Sequence, residues 1–171
     1  MRVYWGMTLM HAFHRRAVLL GASALAACGG APQAKAADPY AGSQWRKLSD
    51  AEWKSRLSPA AYRVLRQEGT ERAGSSPLDK EKRRGTYVCA GCELPLFKSD
   101  WKYDSRTGWP SFYRPIEGAL GEKTDFKIGI PRTEYHCARC LGHQGHVFKD
   151  GPRPTGLRYC NNGVALKFVP A

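Results

Sequence analysis

The chain has 171 residues, 42% of them hydrophobic and 25% charged, a balance that excludes wholesale disorder and suffices for one ordinary domain with its own core. No apolar run reaches the roughly 18 residues a membrane-spanning helix needs, which excludes a polytopic membrane protein, and 18 Gly with 11 Pro argue against a helical bundle. The net charge of +12 favours anionic partners in general, but no run of basic and aromatic residues is laid out as a binding face, so nucleic acid is not expected as a partner.

Residues 1–27 carry Arg2, Arg15 and Arg16 and no acid, and residues 17–27 form an apolar stretch of eleven. A basic start, a short apolar core and small residues at the cut make the layout of an export signal. Arg15-Arg16 matches the twin-arginine route loosely. Leu25-Ala26-Ala27-Cys28 resembles the lipobox of bacterial lipoproteins, which implies acylation of Cys28 and attachment to a membrane. The alternative is a soluble exported protein cut after Ala27. The expected location is the periplasm or cell envelope, with lipid on Cys28. The stretch 28–44 is small, Pro-containing and without periodicity, and reads as a flexible tether to a domain over 45–171.

That domain starts with helices. Ser49 and Glu52 form a capping box, with Trp53 and Leu57 four apart behind it. Ser58-Pro59 opens a second helix, with Leu57, Ala61, Val64 and Leu65 as its apolar stripe and Gly69 at its close. From Gly85 the pattern changes to strands: Thr86–Val88, the alternating Phe126, Ile128 and Ile130, then Thr133–His136, Val147–Phe148, Leu157–Cys160 and Val164–Val169. There is no fixed repeat and no β-α-β alternation, so the expected fold is mainly β, a small antiparallel domain with short N-terminal helices.

Four of the six cysteines form two CxxC pairs, Cys89/Cys92 and Cys137/Cys140, separated by 44 residues. Two residues between cysteines let two thiolates approach one ion, and Zn²⁺ takes four such ligands in a tetrahedron. Two disulfides or two redox-active pairs are the alternatives. A bridge inside one CxxC closes almost no chain and stabilises little, so one structural zinc is the favoured reading.

Cys160 is then unassigned. A lone Cys is most often a small buried hydrophobe. In Gly156-Leu157-Arg158-Tyr159-Cys160-Asn161-Asn162 an extended backbone would place Arg158 and Asn162 on the face of Cys160, where a cation favours the thiolate. His143 and His146, close by in sequence, can supply a proton near neutral pH; further metal ligation or a surface turn are their other uses.

These residues resemble the peptide-methionine (R)-S-oxide reductases from about Leu48 to Pro170. The resemblance rests on Glu68-Gly69-Thr70-Glu71, Tyr87-Val88-Cys89 with Cys92, Tyr103-Asp104-Ser105, Gly108-Trp109-Pro110-Ser111-Phe112, Arg132-Thr133-Glu134, His143 with Gly145-His146-Val147-Phe148, Asp150-Gly151-Pro152, and Arg158-Tyr159-Cys160 with Asn162. It implies two antiparallel sheets and a zinc away from the active site. It also implies Cys160 as nucleophile, Trp109 against the substrate methyl group, and His143, His146 and Asn162 completing the pocket. Without it, Trp109 would read as a core aromatic in a Gly-Pro turn.

Three positions depart from the family pattern. Thr107 stands where many members carry a resolving cysteine, Arg106 where glycine is usual, and Gln144 where leucine is usual; the last two are expected at the pocket rim. Without a resolving cysteine, the oxidised Cys160 is expected to be reduced by a thioredoxin-like partner or a small thiol. The substrates are oxidised proteins or peptides and the enzyme is expected to act as a monomer. The rivals are a zinc-ribbon module on nucleic acid and a thiol–disulfide oxidoreductase using one CxxC.

Overall fold

The computed structural model describes residues 37–171. The expected export signal, Cys28 and the first part of the tether lie outside the described residues. Residues 37–44, expected as free tether, are instead turns held on the domain. The Arg46 guanidinium pairs with Asp38 at 2.6 Å and donates to the Ala138 carbonyl at 2.6 Å, and Arg139 lies over the Tyr40 ring at 5.6 Å. Aromatic and cationic groups override a composition that looks like linker.

Two helices follow as expected. Ser49 caps α1 (Asp50–Arg56) with the reciprocal Ser49–Glu52 pair, and Ser58 caps α2 (Pro59–Gln67) through the Ala61 amide. The second closes on Glu68 in the left-handed region, φ 53°, one residue before the expected Gly69. Trp53, Ala61, Val64 and Leu65 are buried, which anchors helices too short to persist alone.

Among the described residues, nine antiparallel strands form two sheets. Strands β1 (Gly85–Cys89), β2 (Pro95–Lys98) and β9 (Leu166–Pro170) pair in the order β2-β1-β9. The others are β3 (Lys102–Tyr103), β4 (Ser111–Phe112), β5 (Leu120–Asp125), β6 (Arg132–Cys137), β7 (His143–Phe148) and β8 (Arg158–Asn161), ordered β3-β4-β8-β7-β6-β5. Aromatic rings join the sheets: Phe97 of β2 stacks on Phe112 of β4 at 4.1 Å, and Tyr87 of β1 meets the same ring edge-on at 4.9 Å. Such pairs add about 0.5–1.5 kcal/mol beyond their buried area.

One expected strand fails. Phe126, Ile128 and Ile130 sit in the turn after β5, not in a strand. The Asp125 carboxylate accepts the Lys127 amide at 2.8 Å, the Gly129 amide closes on the Phe126 carbonyl at 2.9 Å, and Gly129 has φ +77°. A side chain that captures the backbone two residues on ends the ladder. The neighbouring strand, Leu120–Asp125, escapes pattern reading because it lies at the sheet edge with polar side chains outward.

Candidate active site and metal centre

Cys89, Cys92, Cys137 and Cys140 are all buried, and their sulfurs lie within 4.8 Å of one another. The short contacts run between the knuckles, Cys89–Cys140 at 3.6 Å and Cys92–Cys137 at 3.4 Å. Both are far beyond a disulfide bond of about 2.05 Å. They approach the roughly 3.8 Å edge of a sulfur tetrahedron with Zn–S of about 2.3 Å. Four soft donors so arranged fit one zinc ion. The knuckles arise where β1 and β6 end, so a metal here ties the two sheets together.

Cys160 lies on β8 between Ser111 of β4 and His146 of β7. Its side chain opens into a cavity of ≈ 120 Å³ walled by Thr70, Trp109, His146, Phe148, Asn161 and Asn162, together with the Gly145 backbone. Drug-sized ligands occupy about 300–1,000 Å³, so this cavity takes the tip of a side chain. It shares no residue with the cysteine cluster. Gly145 permits the close strand approach: a Cβ there would lie 1.9 Å from the Cys160 carbonyl oxygen.

The two histidines separate. His146 lines the cavity, and its Nε2 lies 2.7 Å from Asp125. The Lys127 amide, His146 and Arg132 hold the Asp125 carboxyl well below its usual range, so the carboxylate accepts and Nε2–H donates. Burial pushes the His146 pKa down, and Asp125 only partly offsets it. Burial thus favours the neutral ring, and with Nε2–H given to Asp125 its lone pair falls on Nδ1. His143 is buried behind His146 and is not among the residues that wall this cavity. Its Nδ1 sits 2.9 Å from Glu134, and its ring meets that of His146 at 5.5 Å. Position 143 is the first residue of β7, level with His136 of β6, and its side chain lies against the buried Glu134.

Trp109 and Asn162 both reach the cavity, but their polar groups are engaged elsewhere. The indole N–H donates to the Glu71 carbonyl at 3.2 Å. Asn162 accepts the Glu71 amide at 2.9 Å and donates to the Gln144 carbonyl at 2.9 Å. The Glu71 carboxylate in turn receives the Gly163 and Val164 amides at 2.5 and 3.1 Å. Glu71, whose carboxylate and backbone tie these segments together, lies in the Glu68-Gly69-Thr70-Glu71 motif, but no local signal in the sequence assigns a role to this buried acid.

Burial raises the Cys160 thiol pKa, against the opposing pull of Arg158 and the Thr107 hydroxyl. The expected net lowering by a nearby cation is thus corrected: desolvation wins, and the Arg158 charge is partly spent on a two-pronged pair with Asp150, 2.8 Å in each arm. Thr107 also joins a hydroxyl chain, with Thr107–Ser105 at 2.8 Å and Ser105–Ser111 at 2.7 Å, ending where Ser111 donates to the Trp109 carbonyl at 3.0 Å.

The other departures do not form the pocket rim. Gln144 is fully buried and donates to the Cys89 sulfur at 3.4 Å, while Arg106, at φ 59°, lines a neighbouring cavity with Thr107. The cavity wall also contains Phe148 and Thr70, which the sequence motifs contained without marking.

A SelR domain model matches residues 57–170. Over 121 residues the chain is 55% identical to the peptide methionine sulfoxide reductase MsrB of Leptospira interrogans, covering 70% of this chain and 92% of that one. It is 54% identical over 123 residues to the MsrB of Bradyrhizobium diazoefficiens, covering 71% and 88%. It is 51% identical over 125 residues to the chloroplastic peptide methionine sulfoxide reductase B1 of Arabidopsis thaliana, covering 72% and 62%. With its fold, its cysteine cluster and its matched length in accord, the chain belongs to the SelR family of peptide methionine sulfoxide reductases B.

Proposed function

We infer that this protein reduces the R epimer of methionine sulfoxide in proteins and peptides to methionine, by thiol chemistry at Cys160. The observation that carries the reading is a thiol opening into a side-chain-sized cavity beside an indole and the His146 imidazole, in a chain of this family.

The sulfoxide methyl packs on the Trp109 ring, and the sulfoxide sulfur faces Cys160. The Cys160 sulfur attacks as its proton leaves toward the sulfoxide oxygen, with His146 as the group that carries it. An oxygen atom passes from methionine to cysteine: Cys160–SH and the sulfoxide become Cys160–SOH and the thioether, the methionine sulfur reduced and the cysteine sulfur oxidised. One external thiol then condenses with the sulfenic acid, releasing water, and a second displaces the mixed disulfide to restore Cys160. Asn162 and Glu71 position Trp109, and His143 supports the His146 ring from behind. The four knuckle cysteines hold zinc in a closed sulfur set, which contributes folding free energy and leaves no position for substrate.

We further propose that residues 1–27 export the protein and that lipid on Cys28 holds it, as a monomer, in the cell envelope, where it repairs envelope proteins. The support is the basic start, the eleven-residue apolar stretch and Leu25-Ala26-Ala27-Cys28. Cys28→Ala should move the protein from the membrane to the soluble fraction; a wild-type protein found wholly in the cytosol overturns this part.

The deciding experiment for the activity is turnover of separated R and S sulfoxide peptides with a dithiol reductant. Only the R epimer should be reduced, and Cys160→Ser should abolish turnover without altering the fold. Equal rates on both epimers, or an active serine variant, refute it.

A further inference from the structure

The side-chain-sized cavity leaves unexplained the tip of the β5–β6 hairpin. Five large apolar residues are exposed among the described residues, and three of them share this single turn: Phe126 at 66%, Ile128 at 60% and Ile130 at 64%. Scattered exposed apolar side chains are ordinary, whereas a cluster on one turn marks a contact surface.

The turn is built rather than slack. The Asp125 carboxylate holds the Lys127 amide, and Gly129 closes on Phe126. The one cation within the turn, Lys127, folds back on Glu68 at 2.5 Å, so its charge is drawn off the apolar face. The stems are pinned at the pocket. One Asp125 oxygen takes both Arg132, across the hairpin, at 2.5 Å and His146 at 2.7 Å. Register agrees: Thr133 pairs with Val147, so Arg132 comes level with Phe148, and both His146 and Phe148 wall the cavity. The apolar turn therefore stands at the end of the sheet that carries His146 and Phe148 of the cavity wall and is joined to that wall through Asp125.

We propose that the Phe126–Ile130 turn extends the substrate site and binds apolar residues flanking methionine sulfoxide in a loosened polypeptide. This rests on the reading of the Cys160 cavity as the sulfoxide site. Methionine fills irregular gaps in cores, among apolar neighbours. Oxidation makes it polar and disrupts that packing, so the chain that presents a sulfoxide presents apolar residues beside it. A cavity of ≈ 120 Å³ accepts only the side-chain tip, and recognition of the rest of the chain falls to the surface beyond its wall.

The test compares the whole protein with its Phe126→Ser/Ile128→Ser/Ile130→Ser variant on three R sulfoxides: a blocked single residue, a Gly/Ser-flanked peptide and a Leu/Phe-flanked peptide. The wild type should prefer the Leu/Phe peptide. The variant should lose about tenfold in kcat/KM on it, nearly all in KM, and stay within about twofold on the other two. No wild-type preference, no loss in the variant, or an equal loss on all three substrates overturns the proposal. So does loss of phosphatidylcholine vesicle binding with peptide kinetics unchanged, which would assign the turn to lipid. Failure of the underlying reading looks different: the wild type would turn over none of the three.

Discussion

Trp109 donates its indole N–H to the Glu71 carbonyl at 3.2 Å, while the Glu71 amide donates to Asn162 at 2.9 Å. The polar handle of the indole is therefore occupied, and what Trp109 offers a substrate is its ring face. The bond fixes the ring that walls the cavity beside Cys160.

Trp109→Phe keeps an aromatic face but removes the tether. KM for an R sulfoxide peptide should rise about fivefold while kcat changes less, and stability should fall by about 1 kcal/mol as the Glu71 carbonyl loses its donor. Trp109→Ala should cost far more in kcat/KM. A phenylalanine variant with unchanged KM would mean that the tether does not position the ring.

The cysteine cluster should hold one zinc per chain. Cys92→Ser or Cys137→Ser should abolish cooperative unfolding, since structural zinc contributes folding free energy directly. Metal analysis of folded, active protein that finds no zinc would refute this.

The helices, the cysteine cluster and most strands were readable in the sequence because each rests on a local signal: Ser49 with Glu52, CxxC spacing, short runs such as Thr133–His136 bounded by Gly and Pro. The misreadings were tertiary. The alternation of Phe126, Ile128 and Ile130 matches a strand, yet the Asp125 carboxylate turns the chain there. His143 and His146 look equivalent three residues apart, yet one faces Glu134 and the other the cavity. Arg158 beside Cys160 suggested an acidic thiol, because neither burial nor the Asp150 partner can be seen in one dimension.

Cys160 should be a neutral thiol at pH 7. Burial lifts its pKa above the usual 9.0, so alkylation of the free enzyme should quicken with pH until past that value. Arg158→Met should slow alkylation at pH 7 by removing the largest opposing pull. Asp150→Asn should speed it by removing a carboxylate that disfavours the thiolate and releasing the Arg158 charge. Opposite signs in this pair would show that desolvation and charge have been misassigned.

The oxidised enzyme should carry a stable sulfenic acid. Thr107 beside Cys160 offers a hydroxyl but no thiol, and the other described cysteines form the separate cluster. One equivalent of substrate should leave a dimedone-reactive Cys160 and no internal disulfide. Thr107→Cys should create one and quicken recycling by thioredoxin. A Cys160 bridge to a knuckle cysteine with zinc released would overturn the division between structural and catalytic thiols.

At position 145 a Cβ would collide with backbone, at 1.9 Å from the Cys160 oxygen and 3.0 Å from its carbonyl carbon, so no rotamer can relieve it. Every other amino acid carries that atom. Heredity then meets a wall there: each missense codon change displaces the strand that carries the nucleophile, and there is no mild variant from which a lineage could drift. His146 and Cys160 stay paired across β7 and β8 only in descendants that keep a bare backbone at 145.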